Sequence, residues 1–137
     1  MPLLNIFDIA GSALSTQSVR MNVTASNLAN AESISSSIDE TYRSRQPVFQ
    51  TMYSDFVNKD IAAGVRVAGI VESQAPLQQQ YRPDHPQANE EGYIFLPNVN
   101  VMDEMANMMS ASRTYQNNIE VINTSKRLLL DTLRMGQ

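Results

Sequence analysis

The chain of 137 residues contains no cysteine and no tryptophan. Without cysteine there is no disulfide framework, no thiolate metal site and no cysteine nucleophile, and either redox compartment is compatible. Aromatic residues make up only 7%, and although 42% of the chain is hydrophobic, eight of those residues are methionine. Such a composition builds a core, but not a dense one. The length suits one modest domain, or a small domain with long appendages. Long apolar runs are missing too: no stretch reaches the ~20 residues that cross a bilayer, so direct membrane insertion is not expected. The opening MPLLNIFDIAGS has an apolar patch interrupted by Asn5 and Asp8 and no basic leader region, so no cleaved signal peptide is expected. Five glycines form no GxGxxG or phosphate-loop array, which leaves cofactors without support. Ten basic residues face fourteen acids, for a net charge of -4. They are scattered, with Arg43/Arg45 and Lys126/Arg127 the close pairs, which argues against nucleic acid and anionic membrane surfaces as partners.

What is present is periodicity at the two ends. From about Ile6 to Asn30, Phe7, Leu14, Met21 and Leu28 recur every seven residues, with the small or polar Ala10, Gln17, Thr24 and Ala31 between them. That period predicts a long, gently supercoiled helix of roughly 37 Å. Asn5 is the expected cap, Asp8 the first-turn acid, and Leu4 with Ile9 a hydrophobic staple. From Val101 to Met135 the stripe is stronger, stepping through Val101, Met105, Met108, Ser112, Tyr115, Ile119, Ile122, Lys126, Leu129 and Leu133. Asn100 predicts its N-cap, Asp103 and Glu104 suit its first turn, Arg134 its last, and Gly136 its stop. At about 50 Å it is too long for an ordinary domain of this size, and reads as half of an extended coiled coil.

Residues 32–100 differ. ESISSSIDET is a Ser-rich loop, and YRSRQPVFQTMY is extended. GVRVAGIVES is a β-branched strand in which Val65, Val67 and Gly69 share a face. The stretch from Ala75 onward holds four of the six prolines and leads through a turn at Glu91-Gly92 into a short strand, YIFL. The expected fold is therefore mainly α with a small β-rich module. Helices in 1–31 and 101–137 pair as a coiled coil and form one unit around a short extended and β-hairpin segment in 32–100.

Chemistry finds little support. His85, in PDHPQAN beside Asp84, evokes a triad or a metal site, but neighbours on an extended loop point apart and no second His or Cys completes a zinc set. Its expected role is loop packing. Glu90-Glu91 is an adjacent acid pair that reads as a solvated approach to a turn. No catalytic, cofactor-binding or metal-binding residue is expected, and no small-molecule substrate. The methionines Met102, Met105, Met108 and Met109 read as core or as an adaptable binding face. The two merge if the core is made between subunits. With Met102, Met109, Val121, Leu128 and Leu130 outside the stripe, the last helix carries more apolar surface than one narrow partner covers, which implies ordering coupled to assembly.

Several stretches resemble a known family: SNLANAES after the first helix, GVRVAGIVESQAPL, YRPDHPQANEEGYIFLPNVNV, and EMANMMSASRTYQNNIEVIN. Together they are similar, over almost the whole chain, to the bacterial flagellar basal-body rod proteins, axial proteins of rod and hook. SNLAN marks the wide family; HPxANxxGY followed by PNVNV and ASRTY points to a member of the proximal rod. The resemblance implies a non-enzymatic structural subunit that transmits torque in the drive shaft. It further implies export without a cleaved signal peptide through the flagellar type III apparatus and assembly in the periplasmic rod. Implied partners are further copies of itself, other proximal-rod subunits, the rod-base adaptor and the distal rod. Carried over as interface residues are Ser26, Asn27, Leu28, Ala29, Asn30, Pro97, Asn98, Val99, Asn100, Val101, Ala111, Ser112, Arg113 and Tyr115. Phe7, Leu14, Met21, Met105, Met108, Ile119, Ile122, Leu129 and Leu133 join them from the stripes. Asparagine is a poor helix former, so Asn22, Asn27 and Asn30 along one helix need a reason. The expectation is that Asn27 and Asn30 fix register among packed neighbours, with Asn30 also ending the helix. A different reading is a secreted or intracellular coiled-coil module that docks a partner helix in a Met-rich groove.

Overall fold

The computed structural model describes residues 2–53 and 63–136, with side chains over 5–52 and 64–136. Helix α1 spans Pro2–Asn30. It starts earlier than its sequence signals suggest. Proline suits a first turn because its fixed φ fits the helix and its missing N–H was unpaired there anyway. Asn5 consequently lies inside the helix instead of capping it, and no acid sits in the first turn. The expected staple depends on the Leu4 side chain, which lies outside the described residues, and Ile9 is exposed. The end falls where expected. Ser33 donates its amide (3.1 Å) and its hydroxyl (2.8 Å) to the Asn30 carbonyl, turning the chain away from the helix axis.

Helix α2 spans Val101–Met135, and Asn100 caps it by accepting the Met102 amide at 3.1 Å. Gly136 follows with φ -91°, so the helix closes without a left-handed turn. Between the helices lie two antiparallel ribbons. β1 (Arg45–Tyr53) pairs with β2 (Ala63–Glu72), with a bulge at Val48/Phe49 just beyond Pro47. β3 (Gln78–Tyr81) pairs with β4 (Tyr93–Leu96). The Ser-rich loop adds a rung on the other side of β4, where Ser35 and Phe95 exchange amide-to-carbonyl bonds of 3.1 and 3.0 Å. Flanked on both sides, β4 buries Ile94 and Phe95. Its tight turn needs Gly92, at φ +81°, where an added Cβ would come within 2.9 Å of the Tyr81 ring.

The helices pack side by side and antiparallel. Arg20 donates to Asn107 Oδ1 at 3.2 Å, and the end of α1 meets the start of α2 through the segment at Ser44 and Arg45. Arg20 lies as many residues from Pro2 as Asn107 lies from Ser125. Accordingly Ser125 is buried while Lys126–Met135 is exposed, apart from half-buried Leu129, where α2 runs past the start of α1.

The buried line of α2 differs from the expected stripe. Glu104, Met108, Ala111, Tyr115, Asn118, Ile122, Ser125 and Leu129 are its buried or half-buried positions at alternating four- and three-residue steps. Met108, Tyr115, Ile122 and Leu129 belong to both lines. Val101, Met105, Ile119, Lys126 and Leu133 are exposed. The other half of the seam is Glu104, Ala111, Asn118 and Ser125, all small or polar. In α1 the fully buried positions are likewise modest: Ala10, Thr16, Val23, Thr24 and Asn27, while Phe7, Leu14, Met21 and Leu28 are half-buried. Small residues at half of the contact let two helix backbones approach closely, while Val101, Met105, Ile119 and Leu133 stay outside it. The accessible surface is 9763 Å², against about 7100 Å² for a compact monomer of this mass. The chain is an extended one, mainly α with a small β module, and it covers little of itself.

Candidate assembly interface

Two kinds of surface meet the residues singled out from the sequence. One is a polar junction where the end of α1, the start of β1 and the start of α2 converge. Asn27 is only 1% exposed. Its Nδ2 donates to the Arg45 carbonyl at 2.8 Å, and its Oδ1 accepts the Arg45 amide at 3.0 Å and the Tyr42 hydroxyl at 2.8 Å. The side-chain amide thus pairs with one residue of β1 as a neighbouring strand would. Asn98 does similar work, accepting the Ser44 amide at 2.8 Å and donating to the Ala75 carbonyl at 2.9 Å. Asn89 organises the β3–β4 turn by accepting the amides of Glu91 (3.1 Å) and Tyr93 (2.8 Å).

These geometries bear on one expectation. Asn27 makes three hydrogen bonds within its own chain, one from Nδ2 and two to Oδ1. Asn30 bonds back to the Ser26 carbonyl at 2.8 Å, so it too acts within the chain. Pro97 is buried, Ser26, Asn98 and Val99 are half-buried, and Ala29 and Asn100 are exposed. His85 accepts the Gln87 amide on Nδ1 at 3.2 Å and serves as a turn brace. Among the described residues no group of His, Asp and Glu side chains is placed to hold a metal ion. Between α1, α2 and β1 a shallow cleft of about 330 Å³ is lined by polar groups including Arg20, Thr24, Glu104 and Asn107.

The second surface is the uncovered flank of α2. Near its start Met102 is 74% exposed, with Val101, Met105 and Met109 beside it; near its end Leu128, Leu130 and Leu133 are open, Leu133 at 61%. Arg113 is exposed and Tyr115 and Ser112 are half-buried. Sequence reasoning found these residues but assigned part of them to the internal seam. Periodicity of large side chains marked the flank and half of the seam, while the other half, Glu104, Ala111, Asn118 and Ser125, is small or polar and carries no such signal. The β1–β2 ribbon adds exposed Val48, Phe49, Ile70 and Val71, which composition alone did not single out. Apolar surface on this scale, beside so small a core among the described residues, is the kind that marks an interaction surface.

Comparison with known proteins gives the class. Residues 7–32 match the family described as flagella basal body rod protein, and residues 90–135 match the flagellar basal body rod FlgEFG protein C-terminal family. The chain is 54% identical over 137 residues to the flagellar basal-body rod protein FlgC of Salmonella typhimurium, with each chain covered in full. It is 53% identical to FlgC of Escherichia coli O6:H1 and 51% identical to FlgC of Yersinia enterocolitica, again over the full length of both. The chain belongs to the FlgC family of flagellar basal-body rod proteins.

Proposed function

We propose that this chain is a structural subunit of the bacterial flagellar basal body that polymerises into the proximal rod and passes torque toward the distal rod, hook and filament. It is not an enzyme. The observation that carries the reading is full-length identity of 51–54% to FlgC proteins of three enterobacteria. The uncovered α2 flank supports it, since polymerisation supplies the cover that the chain lacks. In this reading the paired helices extend into a coiled-coil layer with neighbouring copies and other rod proteins. Val101, Met105, Ile119, Leu133, Ala29 and Arg113 face those neighbours, and half-buried Phe7, Leu14, Met21 and Leu28 complete the layer. The buried asparagines hold each subunit in shape. Delivery through the flagellar type III apparatus to the periplasm belongs to the same reading. The rod-base adaptor is its expected neighbour at the export gate.

Deleting the gene and imaging isolated basal bodies tests the reading. Rings without a rod are the expected result; intact rods would overturn it.

A further inference from the structure

We propose that the first turns of α2 carry a binding site for the soft monovalent ion Cu(I), built from the thioethers of Met102, Met105 and Met109. In MDEMANMM these three stand at i, i+3 and i+7 of a continuous helix. With 3.6 residues per turn they fall within an arc of about 60° around the helix axis. Successive members are then surface neighbours, with Cβ atoms about 5–6 Å apart. All three are exposed, Met102 at 74%, Met105 at 49% and Met109 at 63%. Methionine is unbranched and freely rotating along its length, so exposed neighbours of this kind bring their sulfurs onto one ion at little cost in packing.

The donor set selects the ion. Thioether sulfur is a soft ligand that favours Cu(I), whereas carboxylate and carbonyl oxygens suit hard divalent ions. The chain has no cysteine and a single histidine, so no thiolate competes. Among the described residues no group of His, Asp and Glu is placed to hold a metal ion either. Neutral donors leave the bound ion with its full charge, which is easier to hold for one positive charge than for two. The surroundings suit a cation. Asp103 and Glu104 lie in the first turn and offset the positive end of the helix. No Lys or Arg occurs in α2 before Arg113. The remaining described methionines are placed apart: Met21 in α1, Met52 on β1, Met135 at the last turn, and Met108 on the half-buried line of α2. Binding uses sulfur lone pairs and releases no proton. The site belongs to the free chain and does not depend on the rod reading.

The test labels the methionine methyl groups of the full-length chain with carbon-13 and titrates it with silver nitrate in chloride-free buffer, Ag(I) being a redox-inert probe for Cu(I). The expected result is that one equivalent shifts the Met102, Met105 and Met109 signals and leaves Met21 and Met135 in place. Losing even a group that orients a metal's ligands costs about 10–100-fold in affinity, so Met105→Leu, which removes a ligand, is expected to weaken binding at least about tenfold. M102L/M105L/M109L is expected to abolish it. Leucine keeps the face apolar and helical, and circular dichroism matching the parent confirms the fold. Cu(I) held reduced by ascorbate and measured against a chromophoric chelator is expected to give the same order, with no response to Zn(II). Affinity is expected to hold from about pH 8 to about pH 5, where histidine changes charge. A triple variant that binds as the parent does, equal shifts at Met135, or binding lost as the pH falls through that range would each overturn the site.

Discussion

The junction at the end of α1 and the far end of α2 are built on opposite terms. At the junction, side chains that look poorly suited to a helix are engaged: Asn27 binds both backbone groups of Arg45 and the Tyr42 hydroxyl, and Asn98 joins Ser44 to Ala75. At the far end of α2, good helix formers such as Leu128, Leu130 and Leu133 stand exposed. The difference teaches that burial of apolar surface does not do most of the shaping here. Among the described residues the buried hydrophobic side chains are Ala10, Val23, Ile94, Phe95 and Ala111, two of them alanine. Directional hydrogen bonds fix how the helices meet the ribbons, and in the proposed reading the apolar surface is kept for neighbouring chains.

Breaking the polar side of this comparison has the largest expected effect on the isolated subunit. Asn27→Leu removes three hydrogen bonds and leaves the Arg45 amide and carbonyl without partners in a part-buried site, facing an apolar side chain. Each orphaned buried group costs about 1–3 kcal/mol, so a loss of about 4 kcal/mol is expected. Urea unfolding followed by circular dichroism checks it. A leucine tolerated at this position, with an unchanged midpoint, would mean that the junction is not what holds α1 to β1.

A smaller effect belongs to Asn100→Ala at the start of α2. The cap satisfies one amide, that of Met102, at an exposed helix end. Losing such a cap costs about 1 kcal/mol. The comparison sharpens here, because Asn27 and Asn100 are both asparagines beside a helix end. The fourfold difference in cost reports that one is buried with three partners and the other is open to water. Equal destabilisation by the two changes would remove that distinction.

Much of the fold was legible in the sequence, for local reasons. Asn30 and Gly136 stop the helices where turn-forming residues should, Asn100 caps where a polar oxygen precedes an apolar period, and YIFL and GVRVAGIVE are strands as their β-branched and aromatic content predicts. The start of α1 was misread because Asn5 and Asp8 copy a capping signal, while Pro2 offers an earlier and equally good beginning. The internal seam was misread because Glu104, Ala111, Asn118 and Ser125 leave no hydrophobic trace at their spacing. The partner of Asn27 was out of reach for a different reason. Arg45 is 18 residues away, beyond any helical or strand period, and the pairing exists only once the loop has folded back.

The smallest expected effect on the subunit is also the one that separates the two regions most cleanly. Leu133 projects from the part of α2 that has passed the start of α1, and it is 61% exposed. Replacing it with serine takes nothing from the folded chain that water did not already touch, so stability should stay within about 0.5 kcal/mol of the parent. If that leucine is covered in the rod, however, each subunit loses a buried side chain worth about 2 kcal/mol. A polymer repeats that loss at every addition. Swimming in soft agar should therefore fail while the purified subunit unfolds at an unchanged urea concentration. The reverse pattern, a less stable subunit that still supports motility, would mean that the end of α2 is part of the fold and that the flank left open is not the surface by which the rod is made.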